Sequence, residues 1–404
     1  MTAIAAIAPE ISVGGAPLPA SWRDAVIGVR VEKALCLVGR ATVRFADAGY
    51  QLSGTAKFAL GTPVKIAVHG KPEPLLAGVV TGVSLEQSSS NSPELVVTVD
   101  DFGFKLALGT HVKTYLQSTF AGAVKQVAAK AGLIVRASSS NMSGTVHDYL
   151  LQSGSDLAFL NMTCARAGSV WWVEDKTLSI VDVGTVKGAV NVALNEDLVE
   201  FSVRASGLRP TKVTVKGWDA GAQQDVSGDS AKPAVTAKST FVDGYLDSKP
   251  DRLMKAVQST YDLNPKNASE AKLMASALNN DFASSAVTAK GRGPVNPAIK
   301  LMTKVNVTGA GPASGAYVVS QVEHIYRSDG FHTRFVAGPI RPGGLVDTLG
   351  PQAPDPGFEI DGLLTAVVTN LDDPDKVGRV KVKYAASGNL VESAWARVVG
   401  LGVG

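Results

Sequence analysis

Five histidines are the whole supply of imidazole for metal binding or base catalysis in this chain: His69, His111, His147, His324 and His332. A zinc site takes three or four His, Cys or carboxylate ligands, and only His324 and His332 lie close together in the sequence. They flank an Asp-Gly turn, so a two-residue hairpin loop puts them on opposite faces and a three-residue loop on the same face. Because no third ligand is near, we predict ordinary strand histidines, no metal and no cofactor.

Other groups that could do chemistry are also sparse. Cys36 and Cys164 lie far apart without Cys-x-x-Cys spacing, so we predict small buried side chains. The acidic turn Asp372, Asp373 and Asp375 lacks the glycine and glutamate of an EF-hand loop. No phosphate-binding loop or serine nucleophile elbow is complete. Paired carboxylates for glycoside cleavage stay open because their spacing is spatial, but the sequence favours a protein that is not an enzyme.

Composition restricts the possible partners. Hydrophobic residues make up 45% of the 404 residues and charged residues 19%, below the usual quarter, which indicates that partners cover part of the exterior. A formal charge of +3 gives no support for nucleic acid or for stable membrane association. The apolar N-terminus has no Lys or Arg before Arg23 and is interrupted by Pro9, so it predicts neither a signal peptide nor a membrane span and implies cytoplasmic synthesis.

The first region, residues 1–103, has the pattern of an antiparallel barrel. Short apolar-alternating runs are separated by Gly, Pro and Ser clusters, which is typical of strands joined by turns. The predicted strands cover residues 25–31, 41–45, 64–68, 77–86 and 94–99.

Helical periodicity appears in residues 104–186, predicted to be an α+β insert. Phe120, Val124 and Val127 share one helical face, with Ser118 or Thr119 placed to cap the helix. A second helix is predicted to begin after Ser155 and to end near Gly168, followed by a hairpin that contains Trp171.

Strands resume in residues 187–240 and 286–345, on either side of a helical insert at residues 241–285. Asn267 and Glu270 form a capping-box pattern at the start of that helix, and the polar residues 220–238 predict a surface loop. The pattern of three segments recurs later in the chain. Residues 61–68 match residues 302–309, residues 75–87 match residues 314–326, and residues 94–101 match residues 331–338. We therefore predict an internal duplication with two related barrels, followed by a Pro-rich linker at residues 346–357.

Residues 358–404 predict three further strands, at 363–369, 379–385 and 393–399. Arg379, Lys381 and Lys383 alternate with Val380 and Val382, which predicts a half-buried strand with a basic outer face.

Two motifs carry a resemblance to the VgrG and phage late-control family of tail hub and spike proteins. The C-terminal motif resembles the OB-fold domain that opens a VgrG spike, and its matching residues are Asp372, Asp373, Pro374, Gly378, Arg379, Trp395 and Arg397. The second motif resembles the hub region of the same family, and its matching residues are Ser155, Asp156, Leu157, Phe159, Leu160, Gly168 and Trp171.

The resemblance implies a mainly β fold with α+β inserts: two tandem hub β-barrels followed by the N-terminal part of an OB-fold. An OB-fold needs roughly twice the residues that follow Gly357, so we expect the native chain to continue. The implied function is that of a structural baseplate hub and spike protein of a contractile injection system, joining a hexameric tail tube to a trimeric spike.

The implied partners are a second and a third copy of the chain in a homotrimer, the tail tube protein, baseplate wedge proteins and a spike tip or effector cargo. We expect assembly in the cytoplasm and release or delivery with the spike on firing.

Two alternative functions are considered. A basic strand on an OB-fold with nearby aromatics can hold single-stranded nucleic acid, but the alternation puts Tyr384 on the opposite face from Lys381 and Lys383. A tail-associated cell-wall hydrolase is the other alternative.

Overall fold

A computed structural model describes residues 8–71, 73–88, 91–219, 224–234, 237–247, 256–260, 265–341, 366–384 and 392–398. Within these ranges, no helix is both long enough and apolar enough to cross a membrane.

The strands are β1 (Pro9–Val13), β2 (Ala16–Pro17), β3 (Val26–Ala34), β4 (Arg40–Ala46), β5 (Pro63–Val68), β6 (Pro74–Ser88), β7 (Asn91–Asp101), β8 (His111–Ser118), β9 (Ile134–Ala137), β10 (His147–Gly154), β11 (Ser169–Glu174), β12 (Thr177–Asp182), β13 (Ala189–Ala193), β14 (Glu200–Ala205), β15 (Lys212–Asp219), β16 (Gln224–Ser230), β17 (Ala237–Ser239), β18 (Val257–Thr260), β19 (Val287–Pro294), β20 (Lys304–Thr308), β21 (Gly315–Arg327), β22 (Gly330–Ala337), β23 (Ala366–Asn370), β24 (Arg379–Tyr384) and β25 (Ala396–Arg397). The α-helices are α1 (Ala20–Asp24), α2 (Phe120–Lys130), α3 (Ser140–Ser143), α4 (Asp156–Ala167), α5 (Thr240–Val242) and α6 (Ala268–Ala286). Short 3-10 segments lie at Ala48–Tyr50, Ser53–Thr55, Phe102–Ala107 and Gly311–Ala313, and a π-helical turn lies at Asp243–Asp247.

Strand β4 shows why these segments form sheets. Ala41, Val43 and Phe45 are fully buried on one face. On the other face, Arg40 and Arg44 form ion pairs with carboxylates of the neighbouring strands. This two-residue period is the property that makes a half-buried strand more stable than a helix here.

The largest sheet has 14 strands among the described residues, in the order β14-β19-β22-β21-β3-β4-β7-β6-β5-β1-β2, with β13, β17 and β20 off this path. Its first half pairs as β1-β5-β6-β7-β4-β3 and its second half as β13-β20-β21-β22-β19-β14. The same order of strands thus occurs twice, although β1 pairs antiparallel with β5 whereas β13 pairs parallel with β20. The halves are continuous because β3 pairs antiparallel with β21. The fold is mainly β with several sheets, as predicted.

The core follows this organisation. In the first half, Trp22, Phe45 and Phe58 pack with ring centroids 5.2 to 5.3 Å apart. A larger buried cluster joins the second half to the α+β insert and includes Trp171 and Tyr317. A third cluster lies between α6 and the strands β15 and β16.

The predicted helix caps are present. Thr119, not Ser118, accepts the backbone N–H of Gly122 at the start of α2. Asn267 accepts the N–H of Glu270 at the start of α6, and the Glu270 carboxylate in turn accepts a backbone N–H from Lys266. These bonds satisfy donors that the first turn of a helix leaves free.

The predicted loop over residues 220–238 is partly wrong. Gln224–Ser230 is strand β16, paired antiparallel with β15. The sequence is polar because one face is exposed, whereas Val226 and Gly228 are buried against α6. Residues 220–223 and 235–236, the linker at 346–357 and the first part of the predicted strand at 363–369 lie outside the described residues.

Candidate functional site

The hub motif lies on α4 and on the hairpin that follows it. Ser155 caps α4 by accepting the N–H of Ala158 at 3.1 Å. Phe159 and Leu160 are almost fully buried, and Leu157 packs on the same core while partly exposed. These apolar side chains of α4 are therefore part of the core.

A buried polar network fixes α4 against β8 and β10. The Tyr115 hydroxyl donates to the side-chain oxygen of Gln152 at 2.8 Å, and the Gln152 amide donates to Asp156 at 2.5 Å. The Tyr115 ring stacks on Phe159 with centroids 5.3 Å apart. Burial raises the pKa of Tyr115 to about 12, so the hydroxyl stays a donor. The motif acid Asp156 thus holds α4 in place, and its carboxylate also lies 3.9 Å from a ring nitrogen of His111.

The end of α4 joins the hairpin to the helical insert. Gly168 has φ +64°, and a Cβ there would lie 3.1 Å from the Ala277 side chain in α6. Glycine is favoured at this position because the left-handed backbone strains other residues and the close helix contact leaves little room for a side chain. Trp171 is fully buried and donates its indole N–H to the Asn161 side chain at 2.7 Å.

Arg341 connects three segments of the chain, and the sequence analysis did not identify it. Its guanidinium donates to the Asp281 carboxylate at 3.0 Å, to the Ser169 carbonyl at 3.2 Å and to the Cys36 sulfur at 3.5 Å. These partners belong to α6, to the hairpin and to the segment after β3. Burial raises the pKa of Asp281, an effect that the arginine opposes. The only signal in the sequence is a single Arg between two prolines at the end of an apolar run.

Cys36 and Cys164 are free and buried, as predicted. Burial raises the pKa of each thiol, so neither has the lowered pKa of a reactive cysteine.

The C-terminal motif forms a closed turn around Asp373. Its carboxylate accepts the backbone N–H groups of Asp375, Val377 and Arg379, and it receives the Arg379 guanidinium at 2.7 Å. The Arg379 side chain holds the pKa of Asp373 well below its usual range, with these backbone N–H groups adding to the effect. Asp372, Pro374 and Gly378 complete the turn, where Gly378 has φ +74°. The aspartates therefore order the turn rather than form a cation site.

The predicted basic face of β24 is largely neutralised. Arg379 also pairs with Asp375, and Lys381 lies 3.6 Å from Glu392. An aromatic ring other than Tyr384 lies near one of the lysines: the Lys381 ammonium lies 5.4 Å from the centre of the Trp395 ring. The sequence analysis missed this contact because Trp395 comes from the next strand region, beside β25, which pairs with β24 through Arg397.

The histidines are distributed over several elements of the fold. The hairpin loop between β21 and β22 has two residues, so His324 and His332 lie on opposite faces. Burial lowers the pKa of His324 to about 3, and its ring nitrogen lies 2.9 Å from the Thr333 hydroxyl. His147 is buried 4.0 Å from Glu270. Among the described residues, no three His, Cys, Asp or Glu side chains are grouped to hold a metal ion.

The main concavity has a volume of about 1120 Å³ and lies over the sheet between β14 and β3. Several of its charged groups are paired with one another, including Arg30 with Glu323 and Arg292 with Glu200. Such an ion-paired sheet face is suited to contact with another surface.

Comparisons by sequence give one family and no individual relative. The family described as the Alg8 N-terminal domain matches residues 4–328. That description names no reaction, and it differs from the predicted late-control family. A comparison with curated proteins finds no match.

Solved structures share the fold. The chain is similar to the 43 kDa tail protein of prophage MuSo2 from Shewanella oneidensis, with a TM-score of 0.61 and 11% identity over 82% of this chain and 98% of that one. A tail protein from Neisseria meningitidis MC58 has a TM-score of 0.59 and 13% identity, over 82% and 96%. An Escherichia coli protein described as a component of the type VI secretion system, similar to T4 bacteriophage tail proteins gp27 and gp5, has a TM-score of 0.53 and 14% identity, over 92% and 88%. The shared property is the fold of tail proteins.

Proposed function

This chain belongs to the family of the Alg8 N-terminal domain, and from its tail-protein fold we propose that it is a structural baseplate hub and spike protein of a contractile injection system. The observation that carries the proposal is the likeness to the prophage tail protein over 98% of that protein's length. The type VI secretion component of similar fold supports the same class of machine.

The duplicated sheet supports a role as a symmetry adaptor. Each chain carries the same order of strands twice, so a homotrimer presents six similar half-sheets. Such an assembly meets a hexameric tail tube with one side and continues as a trimeric spike on the other. We assign residues 1–103 to the first hub barrel and residues 187–240 with 286–345 to the second.

The interior is suited to transmitting force. Buried contacts connect the α+β insert, the helical insert and the first half of the large sheet. Among them are the hydrogen bonds from the Arg341 guanidinium to its three acceptors. Hydrogen-bonded sheets resist shear because many backbone bonds must break together. No step of this function needs bond chemistry, so we propose that the chain is not an enzyme.

The C-terminal strands β23, β24 and β25 are proposed to begin the OB-fold of the spike. They pair in the order β23-β24-β25, and the Asp373 turn orders the first connection. The remaining proposed partners are the tail tube protein, baseplate wedge proteins and a spike tip or effector cargo, with assembly in the cytoplasm.

The nucleic-acid alternative has less support than the hub. Single-strand binding needs a cationic groove with free stacking platforms, whereas Arg379 and Lys381 are each paired with carboxylates. No observation favours the hydrolase.

Electron microscopy of particles tests the proposal. A peptide tag inserted between Ala231 and Lys232, both exposed and outside β16, allows particles to be purified from the organism that makes the protein. We expect sheathed, tail-like particles with the tag label at one end. Isolated monomer with no particles, from cells that express the tagged chain, would overturn the hub assignment.

A further inference from the structure

Several strands in the two halves of the large sheet correspond residue by residue. In the first half, β6 pairs with β7 and has a bulge between Val80 and Gly82. In the second half, β21 pairs with β22 and has a bulge between Val319 and Gln321. Aligning the two bulges places Val83 at the position of Val322.

Other strands follow the same correspondence. β4 pairs with β7 in the way that β19 pairs with β22, and beyond them β3 corresponds to β14. Through their partners in β4 and β19, Val31 corresponds to Val203. Extending this register by two residues makes Lys33 correspond to Ala205.

Within the chain, the outer edge of β3 is covered by the second half. It pairs antiparallel with β21, with Val31 opposite His324 and Lys33 opposite Val322. Val322 and His324, the residues of β21 that lie opposite Lys33 and Val31, are each only 4% exposed.

The corresponding edges are open. Strand β14 ends the sheet, and β5 pairs with β6 only as far as Val79. Among the described residues, no strand pairs with the edge of residues 82–87 in β6 that faces away from β7. Val83 and Leu85 are 45% and 40% exposed, although the positions that match them in β21 are buried. An open strand with exposed apolar side chains is a surface that native proteins cover.

We propose that β14 of one copy of this chain pairs antiparallel with the open half of β6 of a second copy, repeating between copies the contact that β3 and β21 make within each chain. The register follows from the correspondence: Ala205 lies opposite Val83, Val203 opposite Leu85, and Arg204 opposite Ser84. The pairing surface is inferred from the sheet of a single chain. The number of copies in the ring rests on the homotrimer of the proposed function.

The side chains fit this register. On the core face, Val203 and Leu85 meet as an apolar pair, which stabilises antiparallel strands. On the other face, Arg204 reaches the diagonal position of Glu86, and no ion pair is described for Arg204 within the structure's described ranges. The contact is head-to-tail, with different surfaces on the two copies, so it forms a closed ring or an open fibre. In a closed ring of copies, every β14 is paired with a β6 of the next copy, so no strand edge stays open at this position.

Cysteine cross-linking of the full chain tests the register. Val83→Cys combined with Ala205→Cys places two thiols on directly opposite residues, about 4.5 to 5.5 Å apart between Cα atoms, which is within disulfide range. The matched control combines Leu85→Cys with Ala205→Cys, a diagonal pair at about 7 to 8 Å. The native cysteines are buried, so a mild oxidant acts on the introduced thiols. We expect the first pair to give covalent dimers and trimers, with nothing larger, and the control to stay monomeric on non-reducing gels.

A mass measurement separates this inference from the function on which it builds. Wild-type chain is expected to be trimeric by light scattering. Leu85→Lys is expected to be monomeric at the same concentration, while Leu116→Lys, at another exposed leucine outside the sheet edge, stays trimeric. A trimer whose opposite cysteines do not cross-link, or whose diagonal pair cross-links equally well, overturns the strand pairing and leaves the hub. A wild-type chain that stays monomeric overturns both.

Discussion

Acid is expected to weaken the contact between the two halves of the sheet through His324. This residue is buried in β21 opposite Val31 of β3. Burial lowers its pKa to about 3, and the charge of Lys33 adds to the effect. In the unfolded chain the imidazole titrates at about 6.5. The perturbation is therefore a decrease in pH from 7.5 to 5.0.

The direction follows from proton binding. A folded pKa below the unfolded one means that the folded chain binds fewer protons, so stability is present above pH 6.5 and is lost progressively towards pH 3. Between pH 7.5 and 5.0 the loss is about 1.5 pH units times 1.36 kcal/mol, or about 2 kcal/mol.

Asp101 acts in the opposite direction. Burial raises its pKa to about 6, so the folded chain binds its proton more readily than the unfolded chain does. This carboxyl stabilises the fold by about 1.4 kcal/mol as the pH falls over the same range. A single pH profile would mix the two effects, and a comparison of variants separates them.

Urea unfolding followed by tryptophan fluorescence provides the assay. His324→Gln removes the titrating ring and keeps a partner for the Thr333 hydroxyl. We expect the change in the free energy of unfolding between pH 7.5 and 5.0 to differ from that of the wild type by about 2 kcal/mol, with the variant retaining more of its stability at the lower pH. Thr333→Val is the control, because it removes the hydrogen bond but leaves His324 buried, and should keep the wild-type pH dependence. Equal pH dependence in His324→Gln and the wild type would refute the reasoning.

Three further pairs of variants test the hub motif, the contact between β16 and α6, and the spike motif. Phe159→Ala should destabilise the chain by about 3 to 5 kcal/mol and Phe159→Leu by much less, measured as the free energy of unfolding in urea; similar values for both would show that the ring does not fill the core. Gly228→Ala puts a Cβ 2.1 Å from the backbone of α6, so a loss of about 1 to 3 kcal/mol is expected, whereas Gly188→Ala, with nothing within 4 Å, should be nearly neutral in the same titration. Asp373→Ala should speed hydrogen exchange of the backbone amides that its carboxylate binds, and Asp372→Ala, whose side chain is exposed, should not; unchanged exchange in Asp373→Ala would contradict the role of that carboxylate.

Local signals in the sequence were sufficient for the helix ends. Ser155, Gly168 and Asn267 act as predicted because a cap involves residues only a few positions apart. The strands of the first region were predictable for the same reason, since alternation is a property of neighbouring residues.

Long-range contacts were not predictable from these signals. Arg341 and Cys36 are 305 positions apart, and no local pattern links them. The strand β16 was assigned to a loop because its burial comes from α6, which follows it in the sequence by almost forty residues. Trp395 was not placed beside Lys381 because the contact depends on the pairing of β24 with β25.

The sequence by itself determined the mainly β class and the helix caps, because periodicity and turn chemistry act over a few residues. Only the tertiary structure decided that the two halves join through β3 and β21 and that, among the described residues, β14 and part of β6 keep an open edge. Val83 and Val322 have the same local pattern, yet one is exposed and the other buried. The physical reason is that burial depends on which strand lies alongside, and that is set by the path of the whole chain.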